Sequence, residues 1–259
     1  MHNPPSWLQR RLDRSTPDGL ELTASLAIAG LLLAAFAGIL QGTHETNTVA
    51  QFDQAIGRAL IAVRDPLNTA FFEVLSGIAG IKGTILFLMI AASLLFRRRY
   101  RQLPVVLIAG AAVSTSIVLV VKLLVARPRP DMADRLVREA SFSFPSGHTM
   151  AAVVIFGLTA YFIARTFDRV AVRTIIGALW VLFVVLVAMS RIYLGVHYPS
   201  DTLASAFLGL AGLSLGLAWL SRHESSIDPL AFDPSSRLRL IIALVATAAI
   251  VAVARPFFI

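Results

Sequence analysis

Runs of apolar residues too long for a soluble core recur along this 259-residue chain, nearly free of charge. Crossing about 30 Å of hydrocarbon takes about 20 apolar residues as a helix, the only open-chain element that satisfies its own backbone hydrogen bonds there. Segments of this kind run over 22–40, 78–96, 103–126, 149–164, 174–189 and 203–220, and a shorter charge-free one follows at 238–254. The chain is 57% apolar and 15% charged, against about 25% charged in soluble domains. The pattern predicts an all-α polytopic membrane bundle of six core transmembrane helices plus a seventh. It forms one integral membrane domain over 1–259, with the seventh as an accessory anchor. The first segment has no small-residue cleavage site at the end of its apolar run and reads as an uncleaved anchor.

Charge placement orients the bundle. The net charge is +8, carried by 23 bases, all but Lys82 and Lys122 being Arg. They punctuate the apolar runs instead of forming a solvated basic face with interleaved aromatics, which excludes nucleic-acid binding. Clusters at Arg10, Arg11 and Arg14, at Arg97, Arg98, Arg99 and Arg101, and at Arg165, Arg169 and Arg173 all fall on one side if the spans alternate. By the positive-inside rule that side is cytoplasmic. Arg222, Arg237 and Arg239 fall there too. Lys82 sits near the outer end of the second span, where it is expected to snorkel to the surface. Between the first two spans, Val49, Phe52, Ile56, Leu60 and Val63 recur at helical spacing with Asp53, Gln54 and Arg58 between them. This predicts an interfacial helix on the outer surface. No cysteine is present, which excludes disulfides, thiolate metal sites and cysteine nucleophiles.

Ionisable residues at membrane depth are costly and mark candidate sites. Three groups stand out. Lys122 with Arg127, Pro128, Arg129 and Pro130 ends the third span; Pro145, Ser146, Gly147 and His148 open the fourth; Ser190, Arg191, His197 and Asp201 straddle the turn between the fifth and sixth. No span separates the first two groups, and two spans separate the second from the third, so all three lie on one side, opposite the Arg clusters. Singly, each group has an ordinary structural explanation: a proline stop, a core histidine, a snorkelling arginine, a helix-dipole aspartate. Together they compose a phosphoryl-transfer site. Lys122, Arg129 and Arg191 offer fixed positive charge to the equatorial oxygens of a transferring group. Ser146 is placed to N-cap a helix whose free N–H groups favour an anion, and Gly147 permits close backbone approach. Two histidines supply a nucleophile and a proton donor. Asp201, four residues after His197 across Pro199, is placed to accept one ring N–H and expose the other nitrogen. Arg127 is read as a helix-end charge.

Lys122 with Arg129-Pro130, then Pro145-Ser146-Gly147-His148, then Ser190-Arg191 with His197 and Asp201 resembles the three-part pattern of the type 2 phosphatidic acid phosphatase family of membrane lipid phosphatases. Every motif position matches, and the resemblance covers a catalytic core over about 103–220. It implies that His197 attacks phosphorus to form a phosphohistidine, that Asp201 orients it, and that His148 protonates the leaving group. Lys122, Arg129, Ser146, Gly147 and Arg191 would bind the phosphoryl oxygens, with no cofactor and no metal. The expected activity is hydrolysis of a lipid phosphate or diphosphate, such as undecaprenyl diphosphate, phosphatidylglycerophosphate or phosphatidic acid, at the outer or periplasmic face of a bacterial inner membrane. The expected partners are that lipid substrate and the surrounding membrane lipids. A phosphotransferase that passes the phosphoryl group to a lipid acceptor shares the first half-reaction. A lipid transporter fits less well, because neither paired repeats nor broken helices are evident in the sequence.

Overall fold

The computed structural model describes residues 19–45, 47–95, 102–131, 134–223 and 234–259, with no strand among them. The Arg clusters at 10–14 and 97–101 and the segment 224–233, which the sequence reads as a polar loop, lie outside the described residues. The helices are α1 (Leu20–Glu45), α2 (Asn47–Ala62), α3 (Pro66–Ala79), α4 (Ile81–Leu95), α5 (Gln102–Val125), α6 (Gly147–Ala164), α7 (Val170–Tyr193), α8 (Pro199–Arg222), α9 (Pro234–Val253) and the single turn α10 (Arg255–Phe258).

Six of these, α1 and α5 to α9, are long and apolar enough to cross a membrane, with mean hydropathy from 1.6 to 2.5. Helix α6 is the central one. It packs against α5, α7 and α8, and Val153, Ile155 and Phe162 are buried within it. The helices around it turn large apolar side chains outward: Leu31 is 73% exposed, Leu124 80% and Val253 87%. In water such a surface would aggregate; against lipid it costs nothing, because the tails are as apolar as the side chains. The segment at 238–254 belongs to a 20-residue helix, α9, long and apolar enough to span, whose buried Leu240 and Ala243 join the main core.

The expected second span is not one straight helix. Helices α3 and α4 are bent by 57° at Gly80, and only as a pair are they long and apolar enough to cross a membrane. Alone, the 15 residues of α4 reach about 22 Å at 1.5 Å per residue. Asp65 starts α3 as its N-cap, accepting from Leu67 N (2.8 Å) and Asn68 N (3.0 Å), with Pro66 at the first helical position. The hydropathy reading starts this span at 78 because Glu73 and Asn68 dilute α3. A broken helix is thus present where the sequence showed none. Lys82 is exposed; its ammonium donates to the Phe257 carbonyl and lies 4.6 Å from the centre of the Phe257 ring, tying α4 to α10.

Helix α2 is amphipathic, as its spacing predicts, but its faces are divided between two partners. Phe52 and Ile56 are 45% and 39% exposed, while Asp53 is 3% exposed. Phe52, Ile56 and Val63 are turned away from the protein, Val49 and Leu60 are half-buried, and the Asp53 carboxylate points into the protein.

Candidate active site

The site assembles where helices end. The end of α5 supplies Lys122, the following loop supplies Arg127 and Arg129, and the start of α6 supplies His148. The end of α7 supplies Arg191, and the turn into α8 supplies His197 and Asp201. Local chemistry sets each terminus. Ser146 N-caps α6, its hydroxyl accepting from Thr149 N (3.5 Å). Pro199 starts α8, and Asp201 three residues into the cap accepts from Tyr198 N (2.9 Å). Helix α7 is stopped by Gly195 at φ +74°, where an added Cβ would stand 2.1 Å from the Asp134 carbonyl oxygen. Only glycine fits this left-handed turn, which brings the chain back so that Leu136 N bonds Leu194 O (3.0 Å).

All eight expected site residues come to this end of the bundle. Arg129 donates through Nε to Ser141 O (2.6 Å) and through Nη1 to Val196 O (2.6 Å), and that Nη1 lies 3.3 Å from His197 Nε2. A guanidinium only donates, so this contact is a hydrogen bond when the ring carries its proton on Nδ1. Burial above all, and then the charges of Arg129, Arg191 and Lys122, push the His197 pKa well below that of an ordinary histidine. This favours a neutral ring, and with its proton on Nδ1 the Nε2 lone pair faces the cations. Lys122 donates to Phe142 O, and the charges of Arg129, Asp201, Glu139 and Arg191 all act on it. His148 is half-buried and feels Arg191, His197, Arg129 and Lys122. Ser146 N reaches Asp201 O at 3.4 Å, joining the second motif to the third. At Gly147 an added Cβ would meet only Val118, at 3.7 Å, so no protein neighbour demands glycine there. Ser190 bonds its own helix at Val187 O (2.6 Å) and stays out of the cluster.

The expected hydrogen bond from His197 to Asp201 is not formed. Nδ1 stands 3.5 Å from Asp201 Oδ2 without a hydrogen bond to it; Oδ2 accepts instead from the Ser143 hydroxyl and from Tyr198 N, and the Ser143 backbone also acts on the ring. The other oxygen, Oδ1, accepts from Arg127 Nη1 (2.5 Å). Arg127 is thus no helix-end charge. It also reaches Ser200 Oγ (2.8 Å) and Asp53 Oδ2 (2.9 Å) and lies 4.2 Å from the centre of the Tyr198 ring. Asp53 in turn accepts from Ser200 N (2.8 Å) and Ser200 Oγ (2.7 Å). Helix α2 is tied by this network to the first turn of α8, and so to Asp201.

Three more residues escaped the sequence reading. Glu139 accepts from Arg191 Nη2 (2.6 Å) and faces Arg129 Nη2 at 3.6 Å. Ser76 of α3 accepts from Arg191 Nη1. Gly80, at the bend, lies where a Cβ would stand 3.0 Å from His148 Nε2. The broken span therefore presents Ser76 and Gly80, one turn apart, to the site. An isolated acid in a loop and a serine in an apolar helix carry no periodic signal. Among the described residues no group of three or more His, Asp and Glu is placed to hold a metal ion.

A family model described as PAP2 superfamily matches residues 103–225. Phosphatidylglycerophosphatase B of Bacillus subtilis (strain 168) is 36% identical over 179 residues, covering 66% of this chain and 85% of that protein. The chain belongs to the PAP2 superfamily. A crystal structure of a transmembrane PAP2-type phosphatidylglycerolphosphate phosphatase from Bacillus subtilis superposes with a TM-score of 0.68 at 28% identity, covering 75% of this chain and 96% of that one. Decaprenylphosphoryl-5-phosphoribose phosphatase of Mycobacterium tuberculosis is 36% identical over 133 residues, 49% of this chain and 66% of that protein. This PAP2 protein is accordingly an integral membrane phosphatase, with its cation cluster and both histidines at one end of the helix bundle.

Proposed function

We propose that the protein is a lipid phosphate phosphatase that works through a phosphohistidine on His197. The observation that carries this reading is the placement of His197, whose Nε2 lies 3.3 Å from Arg129 Nη1 in a ring that also feels Arg191 and Lys122. The cations hold the phosphoryl oxygens and neutralise charge as it spreads over them. Nε2 bonds to phosphorus while the ester bond to the lipid oxygen breaks, and His148 delivers a proton to that oxygen. Water then attacks the phosphohistidine, His148 takes its proton, and phosphate leaves. A small rotation of either side chain brings the His197 Nδ1 proton onto Asp201, which stabilises the charged ring during both steps. The mycobacterial and Bacillus relatives suggest two substrate classes, polyprenyl and glycerol-based lipid phosphates. Purified protein assayed against both, together with undecaprenyl diphosphate and phosphatidic acid, should release inorganic phosphate from at least one. Following the lipid products as well separates hydrolysis from transfer to a lipid acceptor. No phosphate release and no transfer from any of them would refute the reading.

The mechanism needs no metal, since three fixed cations supply the charge that Mg²⁺ brings to other phosphoryl-transfer sites. Activity is expected to persist in EDTA, and vanadate, which adopts five-coordinate geometry, should inhibit. Loss of activity on chelation, with recovery on adding one particular metal, would refute the metal-free mechanism.

The site opens to the outside of the cell in this proposal, on the side opposite Arg165, Arg169 and Arg173. Cysteines introduced at the exposed positions Arg138 and Asp168 report the orientation. Arg138→Cys should react with an impermeant thiol reagent in intact spheroplasts, and Asp168→Cys only after the membrane is opened. The reverse pattern would invert the topology.

A further inference from the structure

Between Arg129 and Arg191, the two arginines expected to grip phosphate, stands a carboxylate. Glu139 Oε1 accepts from Arg191 Nη2 at 2.6 Å, and its Oε2 faces Arg129 Nη2 at 3.6 Å. Two oxygens of one anion thus bridge two guanidiniums, the arrangement that phosphate oxygens also offer to arginine. The match is incomplete. Arg191 Nε is buried and has no hydrogen-bond partner, a costly vacancy for a charged donor. A planar carboxylate has no third oxygen to fill it; a tetrahedral phosphoryl group has. The Arg191 and Arg129 side chains are buried, 2% and 4% exposed, whereas that of Glu139 is 29% exposed. The loop that presents it is anchored on either side, by Leu136 N on Leu194 O (3.0 Å) and by Arg129 Nε on Ser141 O (2.6 Å).

We propose that Glu139 is a specificity-determining residue, a resident monoanion that a dianionic phosphomonoester displaces from Arg129 and Arg191 and a monoanionic phosphodiester does not. The inference rests on the lipid phosphatase reading and adds to it what the site must refuse. A bilayer presents phosphodiester headgroups to the site at very high local concentration. Exchanging one monoanion for another between the same cations gains little Coulomb energy. Exchanging it for a dianion adds a full charge to the cluster and fills Arg191 Nε as well. Glu139 thereby keeps the cations from being occupied by bulk lipid, while a phosphomonoester or the terminal phosphate of a diphosphate enters.

The test compares inhibition constants within each variant. Vanadate bound to purified protein in neutral detergent micelles is displaced by inorganic phosphate or by phosphatidylglycerol, with phosphatidylcholine as the control for surface dilution. In wild type, phosphate should displace vanadate and phosphatidylglycerol should do so no better than phosphatidylcholine. In Glu139→Gln the ratio of the phosphatidylglycerol constant to the phosphate constant should fall by at least about tenfold, the worth of one charge-assisted contact. Glu139→Asp, which keeps the charge but reaches one arginine at a time, should fall between. An unchanged ratio in Glu139→Gln overturns the proposal, as does equal weakening of both anions, which would make Glu139 a brace for the arginines. Should Glu139→Gln fail to fold, wild type decides: displacement by phosphatidylglycerol as strong as by phosphate overturns the proposal. Because displacement is read without turnover, these outcomes are independent of phosphate release from lipids, whose absence would defeat the phosphatase reading instead.

Discussion

A His197→Ala variant is expected to lose turnover and the covalent phosphoenzyme together, whereas His148→Ala should keep both at a reduced rate. The asymmetry follows from their settings. His197 is buried, its Nε2 lies 3.3 Å from Arg129 Nη1, and Asp201 stands behind Nδ1 at 3.5 Å. Removing the ring leaves no atom to accept phosphorus. His148 sits at the start of α6 against the bend at Gly80, with no carboxylate partner among the described residues, so its proposed part is proton delivery. Its loss should slow phosphoenzyme formation by about 10² to 10⁴, the usual span of general acid catalysis. With p-nitrophenyl phosphate, whose leaving group needs little protonation, the His148→Ala defect should shrink and the His197→Ala defect should not. Phosphohistidine is acid-labile, so the intermediate is trapped by alkaline denaturation and located by mass spectrometry. Phosphate on His148, or a phosphoenzyme in His197→Ala, would reverse the assignment.

Arg127→Ala should be among the most damaging substitutions outside the phosphate-binding set. It strands Asp53 and Asp201, 3% and 0% exposed, each of which has Arg127 as an ion-pair partner. Removing one member of a buried ion pair costs about 3 to 5 kcal/mol, because the remaining charge stays desolvated and uncompensated. Thermal unfolding in detergent should report this as a large drop in midpoint. Turnover should fall by about 10² or more, the scale of an ångström-sized misplacement of a reacting group, since Asp201 loses the contact that holds Oδ1. Arg127→Lys, a single point charge without the fork, should recover only part of either loss. Asp53→Asn combined with Arg127→Ala should cost less than the sum of the two, as coupled neighbours do. Additive losses, or an unfolding midpoint unchanged in Arg127→Ala, would show that the Asp53–Arg127–Asp201 chain does not hold the site together.

The cation cluster and the histidines were legible in the sequence because each lies within a short motif at a helix end. Span parity, which is a local hydropathy property, then placed the three motifs on one side. The partners of those residues were not legible. Arg127 looked like a helix-end charge because both of its carboxylates are 74 positions away, one on either side. Asp53 looked like part of a wet helix face, since periodicity shows which residues share a face and not what covers it; the Ser200 that covers it is 147 positions away. The Ser76 hydroxyl meets Arg191 across 115 positions.

The sequence by itself thus determined the solvent, the number of apolar segments and which candidate groups meet at one end of the bundle, because burial in lipid and the placement of motifs at helix ends both act on residue type and local spacing. Only the tertiary structure decided that one span is broken at Gly80 to face His148, and that Asp201 spends its oxygens on Ser143, Tyr198 and Arg127 before His197. Only there, too, does Glu139 stand between Arg129 and Arg191. The physical reason is that a hydrogen bond is satisfied by whichever donor the packed helices bring within about 3 Å, and helix packing is set by whole faces and not by any one residue's neighbours in the chain.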